Sequence, residues 1–93
     1  MGQVPFYTII GMGRLGTHWC RYFELLNVPY RTWRRGQSTV ELGALLSQSH
    51  VVMLCVPDDQ LLGFFEQHQQ ATSAIWLHFS GALELPGLYS VHP

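Results

Sequence analysis

The chain has 93 residues, 47% hydrophobic and 12% charged, with a formal net charge of −1. The apolar share is ordinary but the charged share is half the roughly 25% usual for globular domains, which excludes a solvated disordered chain and points to a partly covered surface. The length fits one small domain; no apolar run approaches the roughly 18 residues of a membrane span, and the opening MGQVPFYTIIG lacks the basic region of a secretory leader.

Residues 4–10 (VPFYTII) form a nearly continuous apolar run, as expected of a strand buried on both faces of a parallel sheet. A glycine-rich segment, GMGRLG, follows at 11–16. From 14 to 26 the residues Leu15, Trp19, Phe23 and Leu26 recur at helical spacing, which predicts a helix packed along that stripe. Asn27 ends the helix and Pro29 prevents its continuation. Residues 29–33 (PYRTW) read as a second strand and 36–38 as a turn. A short helix over 39–48 offers Val40, Leu42, Leu45 and Leu46 for packing. Residues 50–56 (HVVMLCV) give the strongest strand, closed by Pro57. Asp58 is the expected N-cap of a helix over 59–69 that buries Leu61, Leu62, Phe64 and Phe65. Residues 74–79 (AIWLHF) form a fourth strand, 80–88 a loop, and 89–92 open a fifth strand.

Strands alternating with helices imply βαβ units and right-handed crossovers. The fold class is therefore α/β: a Rossmann-like, doubly wound parallel sheet of about five strands. Sixteen residues separate Trp33 from His50, enough for one helix but not for an additional edge strand. The expected strand order is 2-1-3-4-5 with a shortened second crossover, and a ligand would sit at the switch point above the first and third strands. Residues 1–93 read as a single dinucleotide-binding domain.

GxGxxG alone is a weak pattern, but here it follows a strand and opens a helix, which is the context it needs. Gly11 permits the tight turn, Gly13 lets a pyrophosphate approach the backbone, and Gly16 lets helix and strand pack closely. The free N–H groups of the first helical turn then face the anion. At the end of the second strand an NAD-selective site carries Asp or Glu, yet no acid occurs between Asn27 and Val40. Arg34, or else Arg35, is positioned for a 2′-phosphate, and its planar group can stack on adenine. Trp33 either flanks the adenine or fills the sheet end. Together these features favour NADP as cofactor.

All five basic residues are arginines between positions 14 and 35, opposed there only by Glu24. Residues 36–93 hold five acids and no Arg or Lys, so a basic first third is hidden in a small net charge. Local positive charge beside an acidic remainder fits nucleic-acid binding poorly, and no nucleic-acid or membrane partner is expected. Cys20 and Cys55 lack CxxC spacing and the five histidines lack ligand spacing, so reduced buried thiols in a cytoplasmic protein and no metal site are expected.

The segments GMGRLG, TWRR, VVMLCVPDDQL and HFSGALELPGLYSVHP together resemble the Rossmann domain of 6-phosphogluconate-dehydrogenase-like oxidoreductases. That superfamily includes pyrroline-5-carboxylate reductases and deazaflavin-dependent NADP oxidoreductases. The similarity is closest to uncharacterised bacterial oxidoreductases that add a helical C-terminal domain. The resemblance implies that Gly11, Met12, Gly13, Arg14, Leu15 and Gly16 form the pyrophosphate turn and that Arg34 meets the 2′-phosphate. It implies that Cys55, Val56 and Pro57 line the crevice, that Ser80 lies near the nicotinamide, and that His92 approaches the substrate. Ser80 and His92 are thus the candidate catalytic residues, although Ser80 equally suits a turn cap and His92 a frayed end. The function implied is NADP(H) binding that positions nicotinamide for hydride transfer to a small substrate. The alternative is a non-catalytic dinucleotide-sensing or regulatory module. The C-terminal domain that completes substrate pocket and dimer in related enzymes is expected to lie outside these 93 residues, and self-association or burial against such a domain is expected.

Overall fold

The computed structural model describes residues 5–81 and 86–91. Five parallel strands, β1 (Tyr7–Ile10), β2 (Tyr30–Trp33), β3 (Val51–Leu54), β4 (Ile75–His78) and β5 (Leu88–Ser90), form one sheet in the order β2-β1-β3-β4-β5. Helix α1 (Arg14–Leu25) links β1 to β2, α2 (Thr39–Gln48) links β2 to β3, and α3 (Asp58–His68) links β3 to β4. A 3-10 turn at Gln69–Ala71 extends α3. The single helix between β2 and β3 is the shortened crossover that the sixteen-residue spacing requires.

The register aligns Trp33, Ile10, Leu54, His78 and Ser90 in one row across the sheet, and Thr32, Ile9, Met53, Leu77 and Tyr89 in the next. Adjacent rows face opposite sides, because side chains alternate along a strand. One face, with Ile10, Val52, Leu54 and Trp76, packs against Leu42 and Leu46 of α2 and Leu61 and Phe65 of α3. The other, with Ile9 and Met53, packs against Cys20 and Phe23 of α1. Both faces of β1 and β3 are thereby covered, which explains their nearly continuous apolar runs.

Helix α1 departs from the expected stripe. Its buried residues are Gly16, Cys20 and Phe23, whereas Leu15 is 40% exposed and Leu26 54%. The cause is Gly16, where a Cβ would overlap the Gly11 carbonyl oxygen. The helix must turn its only hydrogen-sized side chain to that carbonyl, and Cys20 and Phe23 follow at i+4 and i+7. The helix ends in a Schellman arrangement: Asn27 takes a φ of 56°, its N–H donates to the Glu24 carbonyl, and the Val28 N–H donates to the Phe23 carbonyl.

Two smaller departures occur. Val40 is 80% exposed and Leu62 40%, so the core faces of α2 and α3 are narrower than expected. Pro57, not Asp58, stands at the N-cap of α3, since its fixed φ (here −56°) suits the extended residue before a helix. Asp58 is the first helical residue, and its Oδ2 accepts a 3.0 Å hydrogen bond from the Ser80 hydroxyl. In α2 the N-cap is Ser38, whose hydroxyl accepts from the N–H groups of Val40 and Glu41.

Candidate functional site

At the carboxyl ends of β1, β2 and β3 the backbone forms a fixed turn. The Gly11 N–H donates to the Trp33 carbonyl at 2.8 Å, and the Cys55 N–H donates to the Ile10 carbonyl at 2.8 Å. Gly11 adopts a φ of 96°, and a Cβ there would collide with the Cys55 carbonyl oxygen. Only glycine fits that position. Gly13 is different: no atom stands within 4 Å of where its Cβ would lie, and it gives the first turn of α1 no side-chain cap. The result is open space in front of uncapped helical N–H groups with no acid in the first turn, a cradle suited to an anion.

The turn is one end of a cleft of about 590 Å³, within the size range of small-ligand sites. Gly11, Met12 and Gly13 form its first wall, Trp33, Arg34 and Arg35 its second, and Cys55, Val56 and Pro57 its floor near the switch point. The sequence-derived candidates from these three segments thus converge on one cavity. Arg14, Leu15, Gly16 and Ser80 do not line it. Gly16 instead makes the helix–turn contact. Arg14 and Leu15 begin α1 with exposed side chains.

Trp33 is 8% exposed, donates its indole N–H to the Ser38 carbonyl at 3.0 Å, and packs against Phe64 with ring centroids 6.0 Å apart. It closes the sheet end while presenting part of its surface to the cleft. The segment after it is a tight turn: the Gln37 N–H donates to the Arg34 carbonyl, Gly36 has a φ of 101°, and the Gln37 side-chain oxygen accepts from the Arg34 N–H. This turn projects both arginines at the mouth. Arg35 donates from Nη2 to Gln60 Oε1 at 2.8 Å. Glu41, the nearest acid in sequence, accepts from Gln37.

The third wall is not predicted by the sequence reading. Gln60, Phe64, Gln67 and His68 of α3, with Thr39 and Leu42 of α2, line the far side of the cleft. Residues 60, 64, 67 and 68 share one helical face, so a mixed aromatic and amide stripe beside the Leu61–Phe65 core stripe was the available signal. His68 packs against Phe64 with ring centroids 4.4 Å apart and planes tilted by 45°, and burial holds its imidazole below the ordinary value.

Cys55 is buried, and desolvation, with a smaller contribution from Cys20, pushes its thiol up to about 12. Cys20 is raised for the same first reason, and both thiols are unbridged. Neither is a thiolate nucleophile near neutral pH. Ser80 is 8% exposed; besides its hydroxyl bond to Asp58, its N–H donates to His78 Nδ1 and its carbonyl accepts from the Ser90 hydroxyl. His78 is fully buried, and its Nε2 has no hydrogen-bond partner among the described residues. His92 lies outside the described residues. Among the described residues no three His, Cys, Asp or Glu side chains converge as a metal site, and no helix is long and apolar enough to cross a membrane.

A parallel 2-1-3-4-5 sheet, with a glycine turn at its switch point, is a Rossmann-type fold. No family model and no curated protein matches the sequence. Among solved structures, RSP, a Rex-family repressor, is similar with a TM-score of 0.75 at 16% identity, covering 97% of this chain and 54% of that one. RSP in complex with beta-NADH is similar with a TM-score of 0.71 at 16% identity, covering 96% of this chain and 54% of that one. The chain therefore spans about half the length of the solved protein it matches. At this identity the likeness shows the fold, and it does not single out the 6-phosphogluconate-dehydrogenase-like family.

Proposed function

We propose that this chain is a nicotinamide-dinucleotide-binding domain that senses its ligand as part of a regulatory protein. The observation that carries the reading is the single cleft joining the glycine turn, the paired-arginine turn and the carboxyl end of β3. The Gly11–Gly13 backbone and the start of α1 would hold the pyrophosphate, and Arg34 and Arg35 a 2′-phosphate, making NADP(H) the preferred form. The α2–α3 wall, with Phe64, would take the adenine.

The lining also favours binding over chemistry. Among the described residues it contains no carboxylate, one histidine and one thiol that stays protonated. The solved protein of similar fold is a repressor that was crystallised with beta-NADH, which agrees with a sensing role. It lends no support to the expectation that nucleic acid is absent from this chain's partners. Two buried, unbridged thiols fit a reducing cytoplasmic compartment.

The second reading is the oxidoreductase one, in which this domain positions nicotinamide for hydride transfer and a further domain supplies the substrate pocket. Resemblance of the HFSGALELPGLYSVHP segment to such enzymes supports it. Fluorescence titration with NADPH and NADH tests both readings. NADPH should bind at least about tenfold tighter, as a lost charge-assisted contact predicts, and Arg34→Ala with Arg35→Ala should remove the difference. Indifference to both nucleotides overturns the proposal, and hydride transfer by this chain alone overturns the sensing role in favour of the enzyme.

A further inference from the structure

The sheet is covered unequally. A helix with its side chains is about 10 Å across and strands stand about 4.8 Å apart, so five strands accept two helices per face. One face carries α2 and α3, but among the described residues the other carries only α1, seated over β1 and β3. The strands beside it present Ile75, 53% exposed, and Tyr89, 58% exposed, with Leu77 and Phe79 half-buried between them. Leu77 and Tyr89 are register partners, and Ile75, Leu77 and Phe79 alternate onto the same side.

Helix α1 forms the wall of this vacancy. Leu15, Trp19, Tyr22 and Leu26, spaced i, i+4, i+7 and i+11, make an apolar stripe about a quarter-turn from the buried Gly16–Cys20–Phe23 stripe. Trp19 leans over the floor, 5.4 Å from Phe79 between ring centroids. Leu15, Trp19 and Leu26, which the sequence groups with Phe23 as the core stripe, thus form with Tyr22 a second apolar face turned toward the uncovered strands. Beyond it Arg14, His18 and Arg21 form an exposed basic edge at i, i+4 and i+7, and Glu24, on the opposite flank, accepts from the Tyr30 hydroxyl.

We propose that this groove docks one amphipathic helix of a partner protein, its apolar stripe on Ile75, Leu77, Phe79 and Tyr89 and an acidic edge along Arg14 and Arg21. The arginines decide the chemistry of the occupant. A second copy laying the Leu15–Leu26 stripe of its own α1 on these strands would bring its Arg14 and Arg21 to the same rim as this chain's, where like charges repel. Carboxylates on the incoming helix pair with the same arginines at the rim and set its direction.

Two stapled helical peptides of about 18 residues, long enough to hold a helix, test this. Both carry Leu at i, i+4, i+7 and i+11; one has Glu along the adjoining edge and the other Lys. By fluorescence anisotropy the Glu peptide should bind saturably and the Lys peptide at least about tenfold more weakly, as like charges at a rim predict. Leu15→Asp and Tyr89→Asp, both at exposed positions and checked by circular dichroism, should each abolish binding. Arg14→Glu with Arg21→Glu should reverse the preference between peptides. Absence of saturable binding, equal binding of both peptides, or indifference to Leu15→Asp and Tyr89→Asp would overturn the proposal. So would a concentration-dependent dimer in sedimentation that Leu15→Asp abolishes, which assigns the groove to a second copy. Binding to phosphatidylserine vesicles that Leu15→Asp abolishes would assign it to a lipid surface instead.

Discussion

Arg35 and Gln60 tie the two sides of the cleft mouth together, the guanidinium donating to the amide oxygen at 2.8 Å. One residue belongs to the turn after β2 and the other to the first half of α3, so the bond fixes where the positive charge stands. Replacing the amide by a carboxylate keeps the geometry and adds a negative charge beside the proposed 2′-phosphate. Gln60→Glu should therefore weaken NADPH binding by about tenfold and leave NADH binding unchanged. Equal loss for both nucleotides in parallel titrations would show that Gln60 acts on the shared part of the ligand.

Gly13 and Gly16 should separate under substitution. In Gly16→Ala the new methyl meets backbone, the Gly11 carbonyl, and the helix must move; a loss of about 1–3 kcal/mol is expected. Gly13→Ser puts a capping hydroxyl at an N-cap with extended backbone and open surroundings, so stability should hold or rise by about a few tenths of a kcal/mol. The same side chain stands in the anion cradle, so dinucleotide affinity should still fall. Urea unfolding and nucleotide titration on both variants check the pair.

Acid should act through His68. Its ordinary value is 6.5, and burial holds the folded state below that. The unfolded chain therefore takes up the proton first. The associated stability is complete above about pH 6.5 and is lost as pH falls through the lower folded value. Between about pH 7.5 and 5.5 the melting temperature of the native chain should fall more than that of His68→Gln. Parallel slopes for the two proteins would contradict this assignment.

The buried thiols give a fourth test. With Cys55 pushed up to about 12 and Cys20 also raised, neither side chain offers thiolate at neutral pH. Iodoacetamide should leave the folded chain unmodified over a time in which the urea-unfolded chain gains two adducts, as intact mass would show. Rapid labelling of the native chain would mean that the floor beneath the glycine turn opens readily.

The strands were legible because each is an apolar run bounded by glycine, proline or a polar turn, and the sheet order followed from the length of the second crossover. The glycine and arginine segments were legible because local backbone demands place them at strand ends. The face of α1 was not, since Leu15, Trp19, Cys20, Tyr22, Phe23 and Leu26 cover two adjoining stripes and periodicity cannot choose between them. A backbone approach at Gly16 chose. The α2–α3 wall was hidden for another reason: Gln60, Phe64 and His68 become a binding surface only through the separation of two helices on the sheet, a tertiary quantity. Asp58 resembled a cap, and its bond to Ser80, 22 positions away, is equally non-local.

The paired amide bonds that anchor Gly11 to β2 and Cys55 to β1 make the phosphate-facing end of the cleft an anvil. Whatever ligand arrives, that end does not yield, so any change of shape must be taken up by the arginine turn and the α3 wall opposite. A message about occupancy would therefore leave the molecule on the side of α2 and α3, across the sheet from the bare strands where a neighbour would dock.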